Sequence, residues 1–394
     1  MQARLVIVAI FLLAVVAIVA FTFVGGKPAG PTDPAGAPTA KEPGTGSVEI
    51  SMLYSTEKKE WIEAAKAKFA VEHPEIAVTL EGMGSLAAEQ AILDGKKKPT
   101  VWSPADSLVL NMLVADWDVR YHTPLVGSGA DAPQPLLISP LVFAVWQDRA
   151  DVLKKNSGGA NLTWKSVHAA VVSNQGWPAV GGKSEWGFVK LGHTDPTQSN
   201  SGIQALLLMT MEYYGKTTGL TVNDILDPDY QEFIKGTESG VPKFESSTGT
   251  FMTDMVRFGP SKYDIAVVYE NLAISQLANA QGRWGNLVVE YPATTLWSDH
   301  PVALLSGDWV TPDQASAART WITFLESRQM QEQALTWGFR PADPGVALKT
   351  TDANNPFVKY AAQGVKVDIP PVASPPDPAV VQNLLTMWSR VVRK

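Results

Sequence analysis

The chain has 394 residues, a formal net charge of −7, 45% hydrophobic residues and no cysteine. The lack of cysteine excludes a disulfide scaffold, a thiolate zinc site and a cysteine nucleophile. The acidic balance argues against binding to nucleic acid, which depends on a basic face, and the length predicts two domains because single cores stop growing near roughly 250 residues.

Residues 5–24 form a continuous apolar stretch in which Thr22 is the single polar side chain. A helix of this length spans about 30 Å, which is the thickness of the hydrocarbon core of a bilayer. Arg4 precedes the stretch, so the amino end should stay in the cytoplasm and the rest should be exported. We predict that residues 1–24 are an uncleaved single-pass membrane anchor. A cleaved signal segment is the alternative, and it also places the remaining chain on the extracytoplasmic side.

Residues 25–47 contain five prolines and six glycines and almost no residue large enough to bury. Such a segment cannot offset the entropy lost on ordering, so it predicts a solvated linker. The information for folding therefore lies in residues 48–394.

The folded region begins with a predicted strand at residues 48–54, followed by a predicted helix at 57–72 that carries an apolar stripe. The elements predicted after these are strand 76–80, helix 86–93, strand 100–102, helix 104–114, strand 136–146, helix 164–172, strand 186–191, helices 201–214 and 222–234, strand 263–269, helix 272–280, strands 287–290 and 302–305, and helices 313–326, 329–335 and 379–392. Alternation of strands with helices predicts an α/β fold with parallel pairing.

The order of these elements predicts two lobes, the first of which is interrupted by the second. We assign residues 48–138 and 298–394 to the first lobe and residues 139–297 to the second. Ligands of α/β proteins bind at the carboxyl ends of strands, where helix amino termini converge. The cleft between the lobes is therefore the predicted binding site.

Small polar residues stand at several predicted strand-to-helix junctions. Helix starts offer free backbone N–H groups and a partial positive charge, which suit an anion or a carbonyl oxygen. The alternative is that these residues only cap their helices. The candidates are Ser55, Thr56, Ser85, Ser103, Ser199, Asn200 and Ser201.

Tyr269 and Glu270 stand where a predicted strand ends and a helix begins, on the expected cleft side. The tyrosine hydroxyl can donate to a ligand, and the carboxylate can accept a hydrogen bond or face a cation. The alternative for Glu270 is a favourable interaction with the dipole of its own helix. We include both residues among the candidates for ligand binding.

Catalytic and metal-binding patterns are missing from the sequence. No phosphate loop and no Gly-x-Ser-x-Gly elbow occurs. The histidines show no metal-pair spacing, so we expect surface or capping roles for His73, His122, His168, His193 and His300. We expect no metal, no cofactor and no enzymatic activity.

Several motifs, in their order along the chain, resemble a known family. They are YSTEK at 54–58, KPTVWSP at 98–104, DPTQSNSG at 195–202, GPSKYD at 259–264, VYEN at 268–271 and GFRP at 338–341. Residues 48–346 resemble the extracellular solute-binding proteins of ABC transporters with the type 2 periplasmic binding fold, close to the sulfate and molybdate group. The resemblance implies a two-lobed α/β fold with a discontinuous first lobe, a small-molecule solute, an ABC permease as partner and a monomer.

The resemblance also implies a mode of ligand binding. Oxyanion-binding members hold the ligand with neutral groups, and the matching positions here are Ser55, Ser85, residues 199–201 and Tyr269. An oxyanion is therefore the favoured ligand.

This chain departs from the oxyanion pattern at Glu57 and Glu270. A carboxylate pointing into the cleft would repel a dianion and shift the preference to a cation or a neutral polar solute. A further alternative is an extracytoplasmic interaction or sensor module that uses the same fold without transport.

Overall fold

A computed structural model describes residues 47–159 and 161–393 of the chain. The predicted anchor and all but the last residue of the predicted linker lie outside these residues. Within the described ranges, no helix is both long enough and apolar enough to cross a membrane.

The first sheet has five strands built from two distant parts of the chain. They lie in the order β2 (Ile76–Gly82), β1 (Val48–Tyr54), β3 (Val101–Ser103), β10 (Pro301–Leu304) and β4 (Gln134–Pro135). β1 runs parallel to β2 and β3, whereas β10 runs antiparallel to β3 and β4. β10 thus joins this sheet from a part of the chain far from β1, β2 and β3.

The second sheet is built around β5 (Leu137–Trp146), nine of whose ten residues are buried. Four strands pair with β5 in antiparallel fashion, namely β7 (Ile265–Tyr269), β8 (Leu287–Glu290), β9 (Trp297–Ser298) and β11 (Arg340–Pro341). β6 (Leu191–Gly192) runs parallel to β7. β5 is apolar on both faces because helices cover the sheet on both sides, as parallel and mixed sheets require.

Helices cover the two sheets. In chain order they are α1 (Lys59–Glu72), α2 (Ser85–Leu93), α3 (Ser107–Tyr121), α4 (Gln147–Asn156), α5 (Trp164–Val171), α6 (Asn200–Tyr214), α7 (Val222–Leu226), α8 (Pro228–Glu238), α9 (Thr248–Phe258), α10 (Glu270–Ala280), α11 (Pro312–Glu326), α12 (Arg328–Thr336), α13 (Pro356–Lys359) and α14 (Pro378–Val391). The apolar stripe of α1 packs on the first sheet, where Trp61 and Phe69 join Trp321 of α11 in one core.

Three predicted elements differ from the structure. The helix predicted at 104–114 is α3, which begins later because Asp106 caps it. The predicted helix 222–234 is two helices, since Asp227 and the proline after it end α7 and start α8. The predicted strand 186–191 is mostly a turn, and only β6 is paired. Helices α4, α9 and α13 were not predicted.

The last helix, α14, packs against α7 and α8. Its Trp388 donates a hydrogen bond from Nε1 to Glu238 at 2.9 Å, and Glu238 also contacts the buried His193 at 2.6 Å. These contacts tie the end of the chain to helices inside the range 139–297. The boundaries of the two lobes stay a prediction.

Candidate ligand-binding site

A group of buried polar side chains lies where the ends of β1, β3 and β7 meet the start of α6. We call it the cleft cluster. Each member is at most 6% exposed. The members are Ser55, Glu57, Lys58, Ser103, Asp106, Asn200, Gln204, Tyr269, Ser298 and His300.

The charged part of the cleft cluster comes from the turn after β1 and from His300, just before β10. The Lys58 ammonium donates to Ser55 Oγ at 2.5 Å and to the carbonyl oxygen of Pro104 at 2.9 Å. Glu57 Oε1 lies 3.2 Å from His300 Nδ1, 3.9 Å from Lys58 Nζ, and accepts from the Ser55 hydroxyl. These side chains form one connected network of buried charges.

The protonation of this network follows from burial and pairing. Burial raises the pKa of Glu57, but the His300 hydrogen bond and the Lys58 charge outweigh that effect and hold the pKa at about 2. Burial lowers the pKa of Lys58 to about 8, although Glu57 opposes the shift. Burial and the Lys58 charge both lower the pKa of His300. At neutral pH the carboxylate and the ammonium are therefore charged and the imidazole is neutral.

The amide part of the cleft cluster is contributed mainly by α6. Asp106 Oδ2 accepts from Gln204 Nε2 at 2.6 Å, and Asn200 Nδ2 donates to the Tyr269 hydroxyl at 3.1 Å. Gln204 Nε2 also donates to Ser298 Oγ at 3.0 Å. Burial raises the pKa of Asp106 to about 7, and the charge of nearby Asp299 adds to the shift.

Four buried polar atoms of the cleft cluster have no hydrogen-bond partner among the described residues. They are Ser103 Oγ, Asn200 Oδ1, Gln204 Oε1 and His300 Nε2. Buried polar atoms in proteins are nearly always hydrogen-bonded, so such a concentration points to a place where a bound molecule completes the bonding. Two of the four are amide oxygens, which accept hydrogen bonds.

The start of α6 carries a second set of hydroxyls. Ser201 Oγ lies 2.7 Å from Thr194 Oγ1 and 2.7 Å from Thr248 Oγ1, and Ser199 Oγ lies 3.2 Å from Thr248 Oγ1. The Ser199 side chain makes no cap hydrogen bond to the helix. The predicted residues are therefore brought together, but Thr194 and Thr248, which complete the group, were not predicted.

Thr56 and Ser85 occupy the edges of the site. Thr56 Oγ1 lies 2.8 Å from Ser247 Oγ, and Thr56 lines a pocket of about 440 Å³ at the mouth of the cleft. The Ser85 hydroxyl accepts from the backbone N–H of Ala105 at 3.0 Å. Ser85 therefore accepts a hydrogen bond within its own half of the protein, whereas Thr56 makes a contact across the cleft.

The predicted role of Glu270 as a ligand-facing carboxylate is not supported by its surroundings. Arg340 donates to it through Nε at 2.7 Å and through Nη2 at 2.8 Å. The Tyr291 hydroxyl donates to the same carboxylate. The Glu270 carboxylate is therefore bonded to Arg340 of β11.

The cleft cluster contains residues that the sequence did not single out, among them Lys58, Asp106, Gln204 and His300. His300 was expected at the surface or as a cap, yet it is fully buried and has a φ of 40°. Asp106 followed a predicted strand and could have been found by the same junction argument as Ser103. Among the described residues, no group of three His, Asp or Glu side chains is arranged to hold a metal ion.

Residues 50–340 match the family described as bacterial extracellular solute-binding protein. The chain belongs to this family. The predicted family and the prediction that the chain is not an enzyme are thereby confirmed. A comparison with curated proteins gave no match.

Solved structures of binding proteins share the fold. A periplasmic thiamin binding protein matches with a TM-score of 0.60 and 14% identity, covering 88% of this chain and 97% of that one. A periplasmic binding protein from Actinobacillus pleuropneumoniae with fructose 6-phosphate bound matches with a TM-score of 0.57 and 13% identity, covering 88% of this chain and 98% of that one. A sulfate-binding protein from Mycobacterium tuberculosis matches with a TM-score of 0.50 and 16% identity, covering 87% of this chain and 97% of that one. The two-lobed α/β fold is confirmed, and the bound solutes of these proteins differ.

Proposed function

We propose that this protein is a membrane-tethered extracytoplasmic receptor that binds a small solute in the cleft cluster and presents it to an ABC permease. Its family supports the role in solute binding for transport. The apolar stretch at residues 5–24 supports the tether, with the folded region on the extracytoplasmic side of the cell membrane. We expect a monomer.

The proposed ligand is a small neutral or singly cationic solute that donates hydrogen bonds. The observation that carries this choice is the set of unpartnered acceptors, chiefly Asn200 Oδ1 and Gln204 Oε1, beside the carboxylate of Asp106. A ligand with hydroxyl or ammonium donors would satisfy these atoms, whereas an anion would leave them unpaired.

The charges around the site also favour a neutral or singly cationic ligand over the oxyanion predicted from the sequence. Glu57 is ionised, Asp106 titrates near neutral pH, and Asp299 lies close to both Lys58 and Asp106. The single ammonium of Lys58 is already bonded to Ser55 and Pro104. A dianion in this field would meet net repulsion at partial burial.

A singly charged oxyanion is the second candidate, favoured by the start of α6. The hydroxyls of Ser199 and Ser201 stand beside an uncapped helix amino terminus, which is a common anion-binding arrangement. For this ligand the donors would come from α6 and the amide oxygens of the cleft cluster would stay unused.

Thermal melting of the full chain in a neutral detergent tests the proposal. The panel contains sulfate, molybdate, phosphate, sugars, amino acids and organic and inorganic cations. A true ligand at a hundred times its dissociation constant adds about 2.7 kcal/mol, which raises the melting temperature by several degrees. Neutral or cationic solutes should produce the shift.

The other outcomes of the panel separate the alternatives. A shift with sulfate, molybdate or phosphate alone would overturn the proposed ligand class and restore the oxyanion prediction. No shift with any solute would favour an extracytoplasmic interaction or sensor module over a transport receptor.

A further inference from the structure

A wide groove of about 910 Å³ lies outside the cleft cluster, between α2, α3 and α14. Its apolar lining includes Met83, Leu86, Met112 and Leu385. The groove shares no residue with the cleft cluster or with the pocket at Thr56. It is therefore a separate concave surface.

Glu89 of α2 lines this groove and is only 6% exposed. Its carboxylate makes no hydrogen bond and no ion pair with any residue that the structure describes, although buried carboxylates are normally paired. Burial raises the pKa of Glu89 to about 7, and the charges of Asp116 and Asp94 add to the shift. The side chain is thus a buried acid without a counter-ion, open to the groove.

The other groups around Glu89 do not supply that counter-ion. Lys96 is the one cation in the lining, and its ammonium pairs with Asp94 at 3.0 Å. The wall formed by α14 contributes uncharged polar side chains, namely Gln382, Thr386 and Ser389. Asp116 of α3 adds a second negative charge.

We propose that this groove binds a small organic ammonium ion, with the Glu89 carboxylate as its counter-ion and the methionine and leucine side chains around its apolar body. Asp116 strengthens the preference for a cation. The hydroxyl and amide groups of α14 accept the remaining ammonium hydrogens. This site is distinct from the cleft cluster, and its existence does not depend on which solute the cleft binds.

Calorimetric titration of the full chain in a neutral detergent with n-butylammonium tests the assignment, with butan-1-ol and butyrate as probes of the same shape. Butylammonium should bind, and the alcohol and the carboxylate should bind at least tenfold more weakly, since only the cation pairs with Glu89. Equal binding of butan-1-ol and butylammonium would overturn the proposal.

Two variants test whether butylammonium binds in this groove. Glu89→Gln should weaken butylammonium binding about tenfold or more, and Ala91→Trp, which fills the groove from α2, should abolish it. Glu72→Gln, an exposed residue of α1, is the matched control and should bind like the wild type. If Glu89→Gln and Ala91→Trp both bound butylammonium normally, the cation would lie elsewhere and the proposal would be wrong, whatever the cleft binds.

The pH dependence gives an independent readout. An alkylammonium stays protonated near neutral pH, because its pKa is close to that of lysine, about 10.4. With a pKa of about 7 for Glu89, butylammonium should bind about ten times more tightly at pH 8 than at pH 6. Glu89→Gln should remove this dependence, and a variant that retained it would contradict the role of Glu89.

Discussion

Two buried carboxylates near the cleft differ in what surrounds them. Glu270 is fully buried and faces the guanidinium of Arg340, so its charge is matched at close range. Asp106 is 4% exposed, and among the described residues it accepts hydrogen bonds only from side-chain amides and from the N–H group that it caps. The first is a structural ion pair, and the second is a charge that the protein leaves partly uncompensated.

Replacing Glu270 by glutamine should destabilise the protein by roughly 3–5 kcal/mol, because Arg340 would be left buried without its carboxylate. Urea unfolding measures the change. The control is Glu332→Gln, which breaks the exposed pair with Arg328 at 2.8 Å and should cost at most about 1 kcal/mol. Equal losses in the two variants would mean that Glu270 is not a structural partner of Arg340.

Replacing Asp106 by asparagine should stabilise the protein at pH 8 and have little effect near pH 4. The folded pKa of about 7 lies above the ordinary value of 3.8, so wild-type stability falls as the pH rises between these two values and stays low above them. Asparagine keeps an oxygen to cap α3 but carries no charge. Melting curves between pH 4 and pH 8 test the direction of this pH dependence. The control is Asp118→Asn, an exposed residue on the same helix. A gain in stability that is the same at every pH would contradict the raised pKa of Asp106.

At the scale of single elements, the two halves of the protein are in close contact where β2 leads into α2. A Cβ atom on Gly84 would lie 2.7 Å from the carbonyl oxygen of Gln198 and 3.0 Å from that of Ser246. Both oxygens belong to backbone that cannot move aside easily. The φ of Gly84 is −59°, so a side chain there is strained by the contact across the cleft and not by its own backbone.

Gly84→Ala should therefore hinder closing of the cleft and leave the fold intact. Overpacking of this kind costs about 1–3 kcal/mol, which corresponds to a loss of affinity of about 5-fold to 150-fold for the cleft solute. Gly249→Ala is the matched control, since its Cβ would face Thr56 across the same cleft at an ordinary 3.4 Å. Titration of both variants with the solute found in the melting panel measures the difference. Equal affinities would show that the cleft need not close at Gly84.

The sequence predicted most elements because their hydrophobic period is clear, as in β1 and α1. It missed α4 and α9, and in α9 the buried Phe251, Met252, Met255 and Val256 recur at helical spacing, so the periodicity could have identified this helix. In the site, junction residues such as Asn200 and Tyr269 were predicted from local patterns. Gln204 and His300 were not, because only the tertiary topology brings the second turn of α6 and the approach to β10 to the same place.

At the scale of the whole molecule, bonds across the cleft link residues that are distant in sequence. Gln204 reaches Asp106, and Asn271 Nδ2 donates to the carbonyl oxygen of Glu57 at 3.3 Å. A solute seated in the cleft cluster would contact both halves at once. Binding then shifts the population towards a closed form, because only contacts that both halves share can drive closure.

Small-angle X-ray scattering of the protein with and without the solute that raises its melting temperature most tests this account directly. We predict that the radius of gyration falls on saturation with that solute, and that Gly84→Ala shows a smaller decrease than Gly249→Ala. An unchanged radius at saturation would contradict binding by closure of the cleft and would favour an interaction module of fixed shape.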